Sequence, residues 1–143
     1  MSTYSGRRDL ARLLMPTWRG LMEIEARRCA EHDLAHWHYI VLADVQEHPD
    51  TSQQQLARRI VRSPSRLATD VEDLCSRGLL RRASAEHDRR INRLTLTEGG
   101  QGLTRRVRRL IHIDEERLLQ RLAATERAHL RDLLARVLDP ETL

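Results

Sequence analysis

Three arginines are crowded into one short polar stretch of this sequence, EHDRRINRLTLTEGG at positions 86–100. Arg89 and Arg90 follow an aspartate, and Arg93 lies at the start of an alternating run that is typical of a strand with one buried face. The planar guanidinium group can make two parallel hydrogen bonds to a phosphate. Arginines at the tip and edge of a hairpin therefore indicate a site for a polyanion.

The charge of the chain is concentrated in its middle third. Residues 51–93 contain ten arginines and five acidic residues, a net charge of +5, whereas the rest of the chain has a net charge of −1. A localised basic patch is the electrostatic signature of a nucleic-acid-binding protein. The alternative interpretation is a solvated face of scattered arginines.

Length and composition indicate a single domain over 1–143. Apolar residues make up 40% and charged residues 32% of the 143 positions, which suits amphipathic helices around a buried core. No apolar run approaches the length of a membrane span, and the N-terminus has no signal-peptide pattern. Cys29 and Cys75 match no zinc or redox spacing, and no catalytic motif is present. We therefore expect a cytoplasmic protein that is not an enzyme and needs no cofactor.

Apolar spacing predicts a series of helices. A helix over 7–30 contains Pro16, where we expect a kink or a late start, and a largely buried helix follows over 34–47. A short helix over 53–61, with Leu56, Ile60 and Val61 facing inward, begins after a cap at Thr51 or Ser52. The next helix begins after a cap at Ser63 and ends near Arg77, before Gly78.

Two strands and two further helices complete the prediction. The strands cover 79–83 and 92–97, with a polar segment at 84–90 between them. Thr97 is the expected cap of a long helix that reaches about Leu122. Thr125 is the expected cap of a last helix that runs through Leu138.

The order helix, turn, helix, strand, polar loop, strand has a known functional meaning. Two helices joined by a short turn form a helix-turn-helix, whose second helix enters the major groove of DNA. The basic ribbon that follows would act as a wing and bring Arg89 or Arg90 into the adjacent minor groove. We therefore predict a mainly α (α+β) fold, with a winged helix-turn-helix lobe over 34–97 flanked by long helices at 7–30 and 98–138.

Four segments, in this order along the chain, resemble the MarR-type (multiple antibiotic resistance regulator) winged-helix repressors. They are DLAHWHYIVL (33–42), QQLARRI (54–60), the stretch from SPSRL to SRGLLRR (63–82) and, most strongly, DRRINRLTLTEGG (88–100). The resemblance implies a homodimer with interlaced terminal helices, which presents two lobes to a pseudo-palindromic operator in double-stranded DNA. It also implies repression that a small, often aromatic ligand relieves.

The resemblance implies DNA-binding roles for particular residues. Four side chains would face the major groove: Ser63, Ser65, Arg66 and Thr69. Arg90 would reach the minor groove beside Arg89, and Asp88 would hold Arg90 in place.

The sequence departs from the family pattern in the recognition helix. The position of Thr69 is often arginine in the family and that of Asp70 is often apolar, and Glu72 and Asp73 add further negative charge. This acidity shifts the expected phosphate contacts to Arg62, Arg66 and the wing. It also leaves open a second interpretation, a helical dimer that binds proteins and has lost DNA binding.

Three further features each have two interpretations. Cys29, His36 and His112 could contribute to a zinc site, as in zinc-sensing relatives, but ordinary solvated or capping histidines are the favoured interpretation, and no metal is expected. Cys29 could sense oxidation or could be a buried core residue. Three aromatic residues could line an effector pocket or belong to the core or the dimer interface: Trp18, Trp37 and Tyr39.

Overall fold

The computed structural model describes the backbone of residues 7–85 and 88–137, and it describes their side chains except for those of 84–91. Its elements, in chain order, are α1 (Leu10–Ala30), α2 (His36–Glu47), β1 (Thr51–Ser52), α3 (Gln53–Arg59), α4 (Pro64–Ser76), β2 (Leu80–Ala85), β3 (Asp88–Leu96), α5 (Glu98–Leu118) and α6 (Ala124–Val137). Among the described residues, no helix is both long and apolar enough to cross a membrane.

The core of the central lobe lies where α2, α3 and α4 meet the sheet. Leu42, Leu56, Leu67 and Leu74 are completely buried, and Leu94 joins them from the strand side. Each of these leucines contributes about 1.5–3 kcal/mol when it is removed from water. Because α4 presents its buried face to this core, its opposite face is fixed toward solvent.

The sheet is antiparallel, with β3 between β1 and β2. Thr51 pairs with Leu94 on one side of β3, and Leu80 pairs with Leu96 on the other. The predicted mainly helical fold with a small wing sheet is confirmed, and the long helices α1 and α5 contact each other.

The wing strands are longer than predicted, and β1 was not predicted at all. Pairing continues through a bulge at Ser84 and Ala85, so β3 begins at Asp88 and the polar segment expected at 84–90 is largely strand. That segment is almost entirely polar, so it shows no alternation of apolar and polar residues. Two-residue β1 is too short to give a periodic signal.

Helix ends confirm some predicted caps and correct others. Ser52 caps α3 in a capping box with Gln55, and the Thr97 hydroxyl accepts the Gly100 N–H at 3.0 Å. Thr125, however, lies inside α6, and the Ala123 N–H donates to Glu126 Oε2 (2.7 Å). The last predicted residue of that helix, Leu138, lies outside the described residues.

The first and fifth helices are joined by a buried carboxylate. Asp114 on α5 is 5% exposed, and it accepts hydrogen bonds from Arg28 Nε at 2.7 Å and Arg27 Nη2 at 3.0 Å. The hydrogen bond from Arg28 is the main reason that the pKa of Asp114 falls to about 2. The C-terminal half of α1 is thus fixed on α5.

The N-terminal half of α1 and the whole of α6 leave apolar side chains in solvent. On α1 the exposed large apolar residues are Leu10, Leu13, Leu14, Met15 and Trp18. On α6 they are Leu133, Leu134 and Val137, and no described residue of α6 is buried. The α1 helix continues through Pro16 from its start at Leu10.

The turn between α3 and α4 differs from the prediction. The helix ends at Arg59, and Val61 is 87% exposed instead of facing inward, with φ = 53°. Val61 N–H donates to the Arg58 carbonyl and Arg62 N–H donates to the Ala57 carbonyl, which is the Schellman pattern of helix termination. This pattern requires a left-handed residue at position 61, and the valine therefore carries a steric cost there.

Replacement of Val61 by glycine should stabilise the protein. The left-handed conformation costs a residue with a Cβ roughly 1–2 kcal/mol. Glycine removes this cost, but its greater freedom in the unfolded chain offsets part of the gain in stability. We expect Val61→Gly to raise the free energy of unfolding by about 1 kcal/mol. Urea unfolding at a fixed protein concentration measures it. Val61→Ala is the matched control, since alanine retains a Cβ; an equal gain from alanine would contradict the backbone explanation.

Candidate nucleic-acid interface

The second helix of the motif, α4, presents one face to the core and the other to solvent. Ser63 is the N-cap residue and Pro64 begins the helix, although the Ser63 side chain makes no cap hydrogen bond. The predicted contact residues all lie exposed at the N-terminal end of the helix: Ser63, Ser65, Arg66 and Thr69. This end is the part of a recognition helix that reaches base edges in the major groove.

A groove of about 800 Å³ lies between α3, the start of α4 and β3. Polar and basic residues line it, among them Gln53, Gln54, Arg58, Asn92 and Arg93. Sequence analysis did not include Gln53, Gln54 or Asn92 among the site residues. Amides of this kind donate to phosphates and bases, and the capping-box pattern at 52–55 would have placed the two glutamines at a helix start.

The arginines around this groove are in two different states. Arg58 and Arg66 are exposed and make no ion pair with any described side chain. Arg59, in contrast, binds Asp44 at 2.6 Å and the Thr51 hydroxyl at 2.8 Å. Of the two arginines on α3, only Arg58 is therefore available to a phosphate.

Arg62 lines the same groove, but its guanidinium is bound within the protein. Its Nε donates to Asp70 Oδ2 at 2.9 Å, and its Cζ lies 4.2 Å from the centre of the Trp37 ring. Its side chain is 14% exposed. A phosphate contact was predicted here, and the observed guanidinium lies between Trp37 of α2 and Asp70 of α4.

The acidic residues of α4 do not oppose its N-terminal face directly. Asp70 is buried against Arg62, while Glu72 lies 3.7 Å from Arg82 and Asp73 lies 3.5 Å from His38 Nε2. The two exposed acids lie one to two turns after Arg66. The negative charge that sequence analysis assigned to the whole helix is thus restricted to its C-terminal half.

The second wing strand, β3, begins at Asp88 and not at the predicted Asn92. Asp88 pairs with Ala85 at the start of β3, and the strand continues through the backbone of Arg89 and Arg90. The side chains of these three predicted DNA-binding residues, Asp88, Arg89 and Arg90, lie outside the described part of the chain.

One residue joins the wing to the long helix that follows. The Thr97 hydroxyl donates to the Gly78 carbonyl at 2.6 Å, and the Thr97 N–H donates to the Leu79 carbonyl at 3.1 Å. A Cβ at Gly100 would overlap that same Leu79 carbonyl oxygen, so glycine is required at this position. The end of α4, the end of β3 and the start of α5 therefore meet at one junction.

The three aromatic residues predicted for a pocket do not line one cavity. Trp18 is 59% exposed on α1, and Trp37 lies against Arg62. Tyr39 is buried and lines a cleft of about 330 Å³ between α1, α2 and α5, together with Glu25, Arg108 and other residues. Two residues apart on one helix, Trp37 and Tyr39 point in different directions.

The candidate metal ligands do not form a cluster. Among the residues that the structure describes, no group of three or more histidine, cysteine or acidic side chains is placed to hold an ion. His36 Nε2 lies 2.6 Å from Glu25 Oε2, His112 lines the Tyr39 cleft, and Cys29 is completely buried. The three candidates therefore do not converge on one ion position among the described residues.

Cys29 should be chemically inert in the folded protein. Burial, and to a lesser extent the charge of Glu25, raises the pKa of its thiol to about 12. Because the thiolate is the reactive form, we expect the Cys75→Ser protein to react with a disulfide reagent at pH 7 at least about 100-fold more slowly when folded than in urea. Absorbance of the released thiol measures the rate. Rapid reaction of the folded protein would restore the oxidation-sensor interpretation.

Comparison with known proteins identifies relatives of this arrangement. Residues 32–91 match the model of the MarR family. The apo form of wild-type MarR from E. coli has 22% identity and a TM-score of 0.80, covering 92% of this chain and 98% of its own. A mutant of that protein complexed with operator DNA has 22% identity and a TM-score of 0.75, covering 96% and 99%.

A third solved structure, NadR in complex with 4-hydroxyphenylacetate, has 20% identity and a TM-score of 0.80. It covers 98% of this chain and 99% of its own. At these levels of identity, the solved structures show a common fold.

Proposed function

We propose that this chain, whose residues 32–91 match the model of the MarR family, is a winged helix-turn-helix transcriptional regulator of that family. In this proposal it is a cytoplasmic homodimer that represses transcription from a pseudo-palindromic operator. The family is one of regulators and not of enzymes. The observation that carries the proposal is the N-terminal face of α4, where Ser65, Arg66 and Thr69 are exposed beside a basic groove. A relative of the same fold is known in complex with operator DNA.

In the proposed complex, α4 enters the major groove and Arg66 contacts base edges or the adjacent phosphates. Arg58, from its place in the groove beside α4, binds the DNA backbone. Arg90 enters the minor groove, where its charge meets an enhanced negative potential. Asp88 holds Arg90 in place, and Arg89 adds a phosphate contact.

The homodimer accounts for the apolar surface at the two ends of the chain. On α1, Leu10 is 64% exposed and Met15 is 60% exposed, and on α6 Val137 is 71% exposed. Clustered apolar side chains of this size mark an interaction surface. A second copy of the chain would cover both helices in a two-fold symmetric contact, which is the commonest arrangement for soluble oligomers.

A small aromatic effector is the proposed signal. The cleft at Tyr39 lies between the terminal helices and the lobe, where a ligand would contact both α2 and α5. A protein of the same fold is known in complex with 4-hydroxyphenylacetate, a ligand of this type. Binding in the cleft would change the spacing of the two lobes and thereby release the operator.

Two arginine variants test the DNA contacts. Arg90→Ala should weaken binding to every duplex and reduce the slope of log K against log salt by about 1, the value for one lost phosphate contact. Arg66→Ala should weaken binding to the selected operator by about 1–3 kcal/mol if it reads a base. Fluorescence anisotropy over a series of salt concentrations measures both effects.

Arg106→Ala is the matched control, because Arg106 is an exposed arginine on α5 with no ion pair among the described side chains. It should leave affinity and slope unchanged. If the parent protein is not retained on duplex DNA at low salt, the proposal fails, and the alternative of a protein-interaction module is supported.

A charge on α6 should separate the dimer. Leu134 is 40% exposed, and a dimer interface would bury the new carboxylate of Leu134→Glu in both copies. We expect the dissociation constant to rise at least about 100-fold, since an unpaired buried charge costs several kcal/mol. Sedimentation equilibrium measures it. Val61→Glu, another exposed apolar position, should remain dimeric; equal dissociation of both variants would contradict the assignment of the interface.

A further inference from the structure

Arg62 was predicted to contact phosphate, but its side chain is bound to other residues of the protein. It lies in the turn that joins α3 to α4, directly after the left-handed residue Val61. A phosphate ligand should extend into solvent, yet the Arg62 side chain is only 14% exposed. Three different elements hold it in place: the turn itself, α2 and α4.

The contacts of the guanidinium group occupy one of its faces and one of its edges. The edge donates to the Asp70 carboxylate through Nε (2.9 Å) and Nη2 (3.4 Å). One face covers the ring of Trp37, with Cζ 4.2 Å from the ring centre. Lysine cannot replace arginine here, because only the planar guanidinium can bind a carboxylate through two N–H groups and also stack on an aromatic ring.

Asp70, the partner of Arg62, is also held in place at this contact. Asp70 lies in the middle of α4, 8% exposed, between the buried residues Leu67 and Leu74. The imidazole of His38 on α2 is its other charged or titratable neighbour, with Nε2 3.8 Å from Oδ1. A buried carboxylate left without its arginine would be strongly destabilising.

We propose that Arg62 is a positioning residue and not a DNA ligand: by clamping Asp70 and stacking on Trp37, it sets the angle at which α4 meets the DNA. This inference rests on the proposed function, since it concerns how the recognition helix discriminates among duplexes. The α3–α4 turn needs such a clamp, because Val61 is held in an unfavourable backbone conformation and contributes little buried surface. The angle of α4 determines which base pairs Ser65 and Arg66 reach.

Four variants of the clamp separate positioning from direct contact: Arg62→Lys, Arg62→Met, Asp70→Leu and the double variant Arg62→Met/Asp70→Leu. Affinity is measured for the duplex selected from a random library by the parent protein, and for a random-sequence duplex. The ratio of the two affinities is insensitive to the folded fraction, because that fraction cancels. The slope with salt is measured for each variant.

Positioning predicts that both single removals, Arg62→Met and Asp70→Leu, lower the ratio by about tenfold, the loss expected when one base contact is misplaced. Arg62→Lys should lower it similarly, since lysine keeps the charge but not the fork. The double variant should lose no more than either single variant. The salt slope should equal that of the parent in all four proteins, while Arg66→Ala serves as the comparison for a DNA-facing arginine.

Direct contact predicts the opposite pattern and would overturn the inference. In that case Arg62→Met and the double variant would both lose about one unit of salt slope, Arg62→Lys would resemble the parent, and Asp70→Leu would leave the ratio intact. If a single variant fails to fold, the double variant decides, because an apolar pair can replace a buried ion pair without loss of stability. Absence of DNA binding by the parent itself would instead refute the proposed function.

The tryptophan provides an independent signature. In a Trp18→Phe background, Trp37 is the remaining tryptophan of the chain. Loss of the stacked guanidinium in Arg62→Met should shift the emission of Trp37 in the free protein, before any DNA is added. An unchanged emission spectrum would show that the stack is not formed, and would also overturn the inference.

Discussion

The orientation of α4 depends on the contact between Arg62 and Asp70. The turn before the helix is only a few residues long, and one of them, Val61, is held in a left-handed conformation. Apolar burial of Leu67 and Leu74 fixes which face of α4 is inward, but a helix on an apolar surface can still rotate and slide. A bidentate ion pair with a stacked aromatic ring has directional geometry, so it restricts those movements where apolar packing does not.

A second junction carries the position of α4 to the rest of the chain. Thr97 bonds the carbonyl of Gly78 at the end of α4, and the same hydroxyl accepts the Gly100 N–H at the start of α5. From there α5 runs to Asp114, where Arg27 and Arg28 attach α1. Recognition helix, wing, α5 and α1 are therefore connected by directional hydrogen bonds at these two points. This is a physical basis for transmitting a change in helix spacing to the DNA-binding face.

The sequence was sufficient for features that depend on periodicity or on one residue type. Helical spacing placed Leu67 and Leu74 inward, and Thr97 was recognised as a cap. It was insufficient where tertiary contacts decide: Val61 was assigned to the core, yet the helix stops two residues earlier because the chain must turn. Likewise, no pattern indicates that Arg62 bonds a carboxylate eight residues later, since this pairing exists only when the α3–α4 turn folds back onto α4.

The formal charge of the middle third overstates the number of arginines that can reach DNA. Of the arginines there with described side chains, Arg59 and Arg62 are bound to Asp44 and Asp70, and Arg82 lies near Glu72. Arg77 and Arg93 donate to backbone carbonyls. Phosphate contacts are therefore proposed for only a few positions, around the groove, at the start of α4 and in the wing. A small number of contacts lowers the non-specific affinity, and discrimination among sequences then depends more strongly on how accurately α4 is held.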